Sequence, residues 1–293
     1  MRAAAALGAL ALALTGCGAQ ERTSTPPENQ PFAYDANAPL NVRQTRIATG
    51  PSGSVQDLSF ASPGGGRVTA YLVVPAARGR HPAVVLLHGA GGDRRELLPF
   101  AAGLAGRGIA ALTLDSPTSR AADKTLPSGM PGVRRRTALL EQEVIEARRA
   151  VDVLRAQPSV DSKRLGFLGF SAGARSGAIL AGVEPRIGSF VLVSGGASPV
   201  AEYLRGAPPS LRAQIRPLLV DVDPLTWIGK ARRGTIFFQD GRRDEIVPRA
   251  ALVGLIRAAP KPQRVRWYAG GHSPDQGRFE DAANWLSERL GAG

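Results

Sequence analysis

The stretch Arg164-Leu165-Gly166-Phe167-Leu168-Gly169-Phe170-Ser171-Ala172-Gly173-Ala174 leaves a chain little freedom in how it folds. A short apolar run leads into a serine with glycine two residues away on each side, and small residues follow. That order predicts a buried strand, a sharp turn and a helix start, with the serine hydroxyl lifted above the sheet edge. Such a turn is strained, and neighbouring backbone passes close by. Gly169 and Gly173 leave the space, and Ala172 and Ala174 add little bulk. A glycine-rich strand-to-helix turn can exist without chemistry, so the reading needs further segments.

Three segments supply it. His88-Gly89-Ala90-Gly91-Gly92 follows the apolar run 83–87 and has the form of a loop that offers a backbone amide to an oxyanion. Ala90 is the expected upstream donor, ahead of Gly91, and Ala172 is the second amide. One such donor contributes about 2.7–4 kcal/mol to lowering a barrier. Asp244 follows a strand expected over 235–239, where an acid can reach a histidine ring and hold its tautomer. Asp240 and Glu245 are rivals for that role. His272 stands among glycines after a strand expected over 265–268. Of the other two histidines, His81 approaches a strand and His88 belongs to the amide loop, which leaves His272 as the general base. The order Ser171, Asp244, His272 is the one a serine hydrolase with this strand–turn–helix requires.

On these residues the chain resembles the α/β-hydrolase superfamily, and within it dienelactone-hydrolase-like esterases with their acetyl-esterase and acyl-peptidase relatives. The resemblance implies an α/β-hydrolase fold with a mostly parallel central sheet, helices on both faces and a short cap insertion. Two departures matter. Dienelactone hydrolases proper usually carry a cysteine nucleophile, where this chain has Ser171. The peptidase relatives usually show another glycine after the turn, where this chain has Ala174. Both favour a general serine esterase.

Periodicity predicts strands over 68–74, 83–87, 109–114, 165–168, 189–193, 235–239 and 265–268. Helices are expected near 94–107, 134–156, 248–258 and 276–290. The hydrolase domain is expected over 55–293, with a cap near 198–233 made of short helices broken by Pro208, Pro209 and Pro217. Residues 115–133 read as an irregular loop over the pocket. Leu225 and Trp227 either line the pocket or pack the cap.

The formal net charge is +13. Arginine supplies most of it and is scattered rather than striped with aromatics, so nucleic acid is not an expected partner. Arg134-Arg135-Arg136 reads as a solvated face at the start of the long helix.

The amino terminus carries a different message. Arg2 precedes a small apolar run over 3–14, too short to span a bilayer. It ends Leu14-Thr15-Gly16-Cys17, which resembles a bacterial lipobox with Cys17 as the lipidated residue. Residues 1–16 would then be a lipoprotein signal peptide. Residues 17–54, rich in Pro, Thr, Ser, Asn and Gln, would be a flexible tether. The expected location is the bacterial envelope: lipid-anchored, in the outer membrane where one exists, or else periplasmic or extracellular. Cys17 is the only cysteine, so no intramolecular disulfide forms.

The expected chemistry is hydrolysis of esters with small to medium acyl groups through an acyl-enzyme on Ser171, with no cofactor and no metal. The partner is a small-molecule ester. The same three residues would also serve a peptidase, an amidase or an acyltransferase. A non-catalytic envelope binding protein on this fold is the rival from outside enzymology.

Overall fold

The computed structural model describes residues 31–122, 125, 127–196, 204 and 207–292. Among them a nine-stranded sheet runs in the order β1-β2-β3-β5-β4-β6-β7-β8-β9. Its strands are β1 (Arg43–Gly50), β2 (Gly53–Ala61), β3 (Arg67–Pro75), β4 (His81–Leu87), β5 (Ala110–Leu114), β6 (Val160–Phe170), β7 (Ser189–Val193), β8 (Ile236–Gly241) and β9 (Arg264–Tyr268). The pairs from β1 to β3, and β3 with β5, are antiparallel; every pair from β5 to β9 is parallel.

The two modes of pairing follow the residues. In β4, β5, β7 and β8 every residue is buried. This is what a strand covered by helices on both faces requires. Val85 and Leu87 face one layer with Val144, Val151 and Ile179, while Val84 and Leu86 face the other with Phe100, Leu104 and Trp285. The first layer is built by α3 (Gly129–Ala156) and α4 (Ala172–Val183), the second by α1 (Leu98–Ala105) and α8 (Gln276–Leu290). β2 and β3 instead alternate between buried and part-buried residues, as antiparallel strands near a sheet margin do.

Several expectations need correction. The tether was expected to run to residue 54, but β1 lies inside that span and pairs along its length with β2, with a bulge between Arg46 and Ala48. Upstream of it, Phe32 is fully buried and meets the Trp227 ring edge-on at 5.3 Å. Tyr34 donates to Asp152 at 2.9 Å. Few but well-placed aromatics therefore dock a segment whose composition reads as a linker. The long helix α3 begins at Gly129, five residues before its expected start, and α2 (Pro117–Arg120) interrupts the expected irregular loop. Arg134 to Arg136 thus stand beyond the first helical turn, where the macrodipole has largely faded.

The cap also differs in detail. α5 (Pro209–Val220) starts at Pro209, in the first-turn position where a missing N–H costs nothing, and continues through Pro217. Ile215 and Leu219 of α5 join Leu204 in a small core against Met130 and Val133 of α3. Residues 198–203 of the expected cap lie outside the described residues. Trp227, in α6 (Pro224–Ile228), packs the cap to the body and donates from Nε1 to the Asp221 carbonyl at 2.8 Å. A Cβ at Gly182 would fall 2.1 Å from the Trp227 carbonyl oxygen, so α4 and α6 touch through backbone. α7 (Arg249–Ala258) completes this layer. Residues 1–30, including Cys17, lie outside the described residues.

Candidate active site

The turn between β6 and α4 is shaped by sterics. Ser171 has φ 53° and ψ −109°, a conformation that costs a non-glycine residue roughly 1–3 kcal/mol. The surrounding structure imposes it. A Cβ at Gly169 would meet the Gly173 carbonyl oxygen at 2.3 Å, and one at Gly173 would meet the Leu87 carbonyl oxygen at 2.2 Å. Backbone therefore crosses backbone on both sides of the serine, as the spacing of the two glycines predicts. The Ser171 amide is held by the Val193 carbonyl at 2.8 Å and that of Gly173 by the His88 carbonyl at 3.1 Å. These bonds join the turn to β7 and to the end of β4.

His272 lies between β9 and α8 and is buried. Its Nε2 is 2.9 Å from Ser171 Oγ. Its Nδ1 is 2.9 Å from Asp244 Oδ2 and 3.0 Å from Oδ1. An ionised carboxylate only accepts, so in the neutral ring Nδ1 carries the hydrogen and Nε2 turns its lone pair to the Ser171 hydroxyl. Asp244 is aimed by its own loop: the amides of Ile246 and Val247 donate to Oδ1 at 3.0 and 2.8 Å. The Phe170 ring packs on the imidazole, 5.2 Å between centres.

The structure thus brings Ser171, Asp244 and His272 together. The two rivals for the acid have other surroundings. Glu245 accepts from the His272 backbone amide at 3.2 Å and so holds the loop rather than the ring. Asp240 is buried with both carboxylate oxygens unbonded. Burial first, and then the neighbouring Asp244 charge, push its carboxyl up to about 7 against the pull of Arg278.

Sequence reading missed the support beneath the histidine. Arg278 in α8 is fully buried. It donates to the Gly271 carbonyl at 2.8 Å and to Ser194 Oγ at 3.2 Å, and Ser194 Oγ donates to the His272 carbonyl at 2.7 Å. In sequence Arg278 is one arginine among many on a helix. The only hint is Asp275, which caps α8 by accepting from the Arg278 amide at 2.9 Å.

The amide loop lies directly over the serine. A Cβ at Gly89 would sit 3.0 Å from the Phe170 ring and 3.6 Å from Ser171 Cβ. The Gly89 amide is taken by Glu96 at 3.0 Å and that of Gly92 by the Gly89 carbonyl at 3.2 Å. The Ala90 and Ala172 amides have no acceptor among the described residues, and both residues border one cavity of about 230 Å³. His88 anchors the loop: the Ser116 amide donates to Nε2 at 3.1 Å, so Nδ1 holds the hydrogen and donates to the Gly89 carbonyl at 2.7 Å. Among the described residues no group of three His, Cys, Asp or Glu side chains is placed to hold a metal ion.

A largely parallel sheet with a serine on the turn after its central strand, and an acid and a histidine on later loops, defines an α/β hydrolase. The model of the FrsA-like esterases matches residues 28–205, and the chain belongs to that family. The match holds the amide loop and Ser171; Asp244 and His272 lie beyond it. The esterase FrsA of Salmonella paratyphi B is 32% identical over 158 residues, 53% of this chain and 35% of that protein. The match therefore spans about a third of the curated relative's length. Two solved structures share the fold. The acetyl xylan esterase from Paenibacillus sp. R4 has a TM-score of 0.71 at 21% identity, covering 86% of this chain and 89% of that one. Acetyl xylan esterase 1 from Thermoanaerobacterium sp. JW/SL YS485 has a TM-score of 0.67 at 18% identity, covering 85% and 88%.

Proposed function

We propose that the protein is a serine ester hydrolase that works through an acyl-enzyme on Ser171. The observation that carries this reading is the unbroken chain of contacts Ser171–His272–Asp244, at 2.9 Å on each side of the imidazole. Its members are 101 and 28 residues apart in sequence and come from three separate loops. Membership of the FrsA-like esterases, and the likeness of the fold to acetyl xylan esterases, support an ester substrate.

In the proposed reaction His272 Nε2 takes the hydroxyl proton as Ser171 Oγ bonds to the ester carbonyl carbon. Asp244 stabilises the imidazolium that results. The carbonyl electron pair moves to oxygen, which the Ala90 and Ala172 amides receive. The tetrahedral intermediate collapses, the carbon–alkoxy bond breaks, and His272 returns its proton to the departing alkoxide. Water then repeats the sequence on the acyl-serine and releases the acid. A cavity of about 230 Å³ beside the two amides supports short to medium acyl groups.

The test is hydrolysis of 4-nitrophenyl acetate, butyrate and palmitate by the protein beside Ser171→Ala. Rapid turnover of the short esters, slow turnover of palmitate and collapse in the variant are expected. Equal rates in the two proteins would reject the nucleophile. A steady rise from acetate to palmitate would reject the short acyl pocket.

We also propose that Cys17 is lipidated after removal of residues 1–16, which would hold the hydrolase at the bacterial envelope. Support for this rests on the sequence pattern from Arg2 to Cys17 alone. Cys17→Ser should move the protein from the membrane fraction to the soluble one; unchanged membrane association would reject it.

A further inference from the structure

Several buried and half-buried arginines in this molecule are answered by carboxylates, while the fully buried Arg278 is held by a carbonyl and a hydroxyl. Arg94 pairs with Asp57, Arg120 with Glu146, Arg149 with Asp152 and Arg186 with Glu184. Arg175 is different. It lies in the first turn of α4, where its amide donates to the Ser171 carbonyl at 3.0 Å. Its side chain borders the cavity that begins at the Ala90 and Ala172 amides. Nε is buried without a hydrogen-bond partner, and no carboxylate among the described residues comes within ion-pair distance of the guanidinium. The residue is half-buried and its charge is felt by Glu143, yet no ion pair claims the guanidinium, so an anion entering the cavity can take that place.

The rest of the wall agrees. Arg135 and Arg136, on α3, line the same cavity, and Leu139 and Leu140 give it an apolar flank. The sole acid on this wall is Glu143, to which the Ser176 hydroxyl donates. Burial holds the Glu143 carboxyl above the usual carboxylate range, which weakens its opposition to a bound anion. With Arg136 and Arg175 against that one acid, the wall carries more positive than negative charge and is apolar along one side.

Its position says which half of an ester it would hold. His272 must protonate the leaving alkoxide, and His272 is not on the cavity wall. A cavity that starts at the Ala90 and Ala172 amides and lacks His272 suits the acyl side of the carbonyl better than the alkoxy side. We propose that it receives an acyl chain ending in a carboxylate, anchored by Arg175 with Arg136 beside it. This proposal rests on the esterase reading given above and narrows its substrate class to half-esters of dicarboxylic acids.

The test compares kcat/KM for mono-(4-nitrophenyl) glutarate with that for 4-nitrophenyl pentanoate, which has the same chain length without the charge. Ser171→Ala supplies the non-enzymatic background. The glutarate half-ester should be preferred by tenfold or more. Arg175→Gln should lower that ratio at least tenfold whatever the absolute rates, Arg136→Gln about threefold, and Arg175→Lys should retain most of it. A ratio near one, or a ratio that Arg175→Gln leaves in place, would overturn the proposal. Calorimetric titration of Ser171→Ala with glutarate reads the site without turnover, and adding Arg175→Gln should weaken that binding at least tenfold. Absence of Arg175-dependent binding with neutral esters still cleaved removes the anion site alone. Arg175-dependent binding with no ester cleaved removes the esterase reading and leaves the anion site.

Discussion

The turn after β6 and the loop after β8 bring their residues to the same point by opposite means. Around Ser171 the work is steric: two glycines let backbone cross backbone within distances no Cβ tolerates, and the serine is pressed into a positive φ. Around Asp244 the work is polar. Two amides aim the carboxylate, Glu245 holds the His272 amide, and Arg278 with Ser194 supports the histidine from beneath. A steric device resists any change of volume and ignores charge. A polar device tolerates similar shapes and fails when a donor or acceptor is lost.

Asp244→Asn offers the sharpest contrast. Its shape is retained, yet an amide can present N–H to Nδ1 and favour the wrong tautomer. A fall in kcat of about 10⁴-fold is expected, with the circular dichroism of the protein unchanged. Loss of less than tenfold would mean that the loop, too, acts chiefly by shape. Gly173→Ala reverses the logic, adding one methyl and no polarity. The new Cβ would lie 2.2 Å from the Leu87 carbonyl oxygen, so about 3 kcal/mol of stability should be lost, together with most activity. Urea denaturation and ester turnover on the same sample read both.

Arg278→Gln tests the support one step removed. It should reduce kcat about tenfold by letting the His272 carbonyl shift, with KM little altered. An effect on KM alone would place Arg278 in substrate binding instead. The smallest effect expected is at Asp240, four residues before Asp244. Its folded carboxyl titrates near 7, well above the ordinary value of about 3.9, so the folded state binds the proton more tightly. Its favourable contribution is complete below about pH 4 and is lost as pH rises to 7 and beyond. Asp240→Asn should therefore raise Tm by roughly 2–4 °C at pH 8 and hardly at pH 4. An equal gain at both pH values would refute the assignment of the proton.

The same division explains what was legible in the sequence. Ser171, the amide loop and the parallel strands could be read because steric demands act locally and leave glycines and unbroken apolar runs behind. Asp244 was preferred to Asp240 and Glu245 in sequence, but only three-dimensional geometry sets the three acids apart, since Asp240 stands near the end of β8 and the other two follow close behind it. Arg278 and Ser194 left no pattern, because their role depends on contacts made across the sheet edge. β1 was read as tether for a related reason: every one of its residues is exposed, so neither alternation nor burial marks it. Pro217 was read as a break, yet α5 continues through it where one face is packed on α3.

That exposed strand has a consequence for how the molecule behaves in company. Among the described residues β1 forms the margin of the sheet, and its outer rim carries amides and carbonyls with no strand beside them, onto which another chain's strand could zip. Ile47, 54% exposed, would be the sticky point of such a contact. The strand guards itself with the bulge at this position, which breaks the flat template, and with Arg43 and Arg46, whose charges repel a second copy laid alongside. Straightening the bulge while removing those charges would turn a guarded edge into a seed for fibrous aggregation.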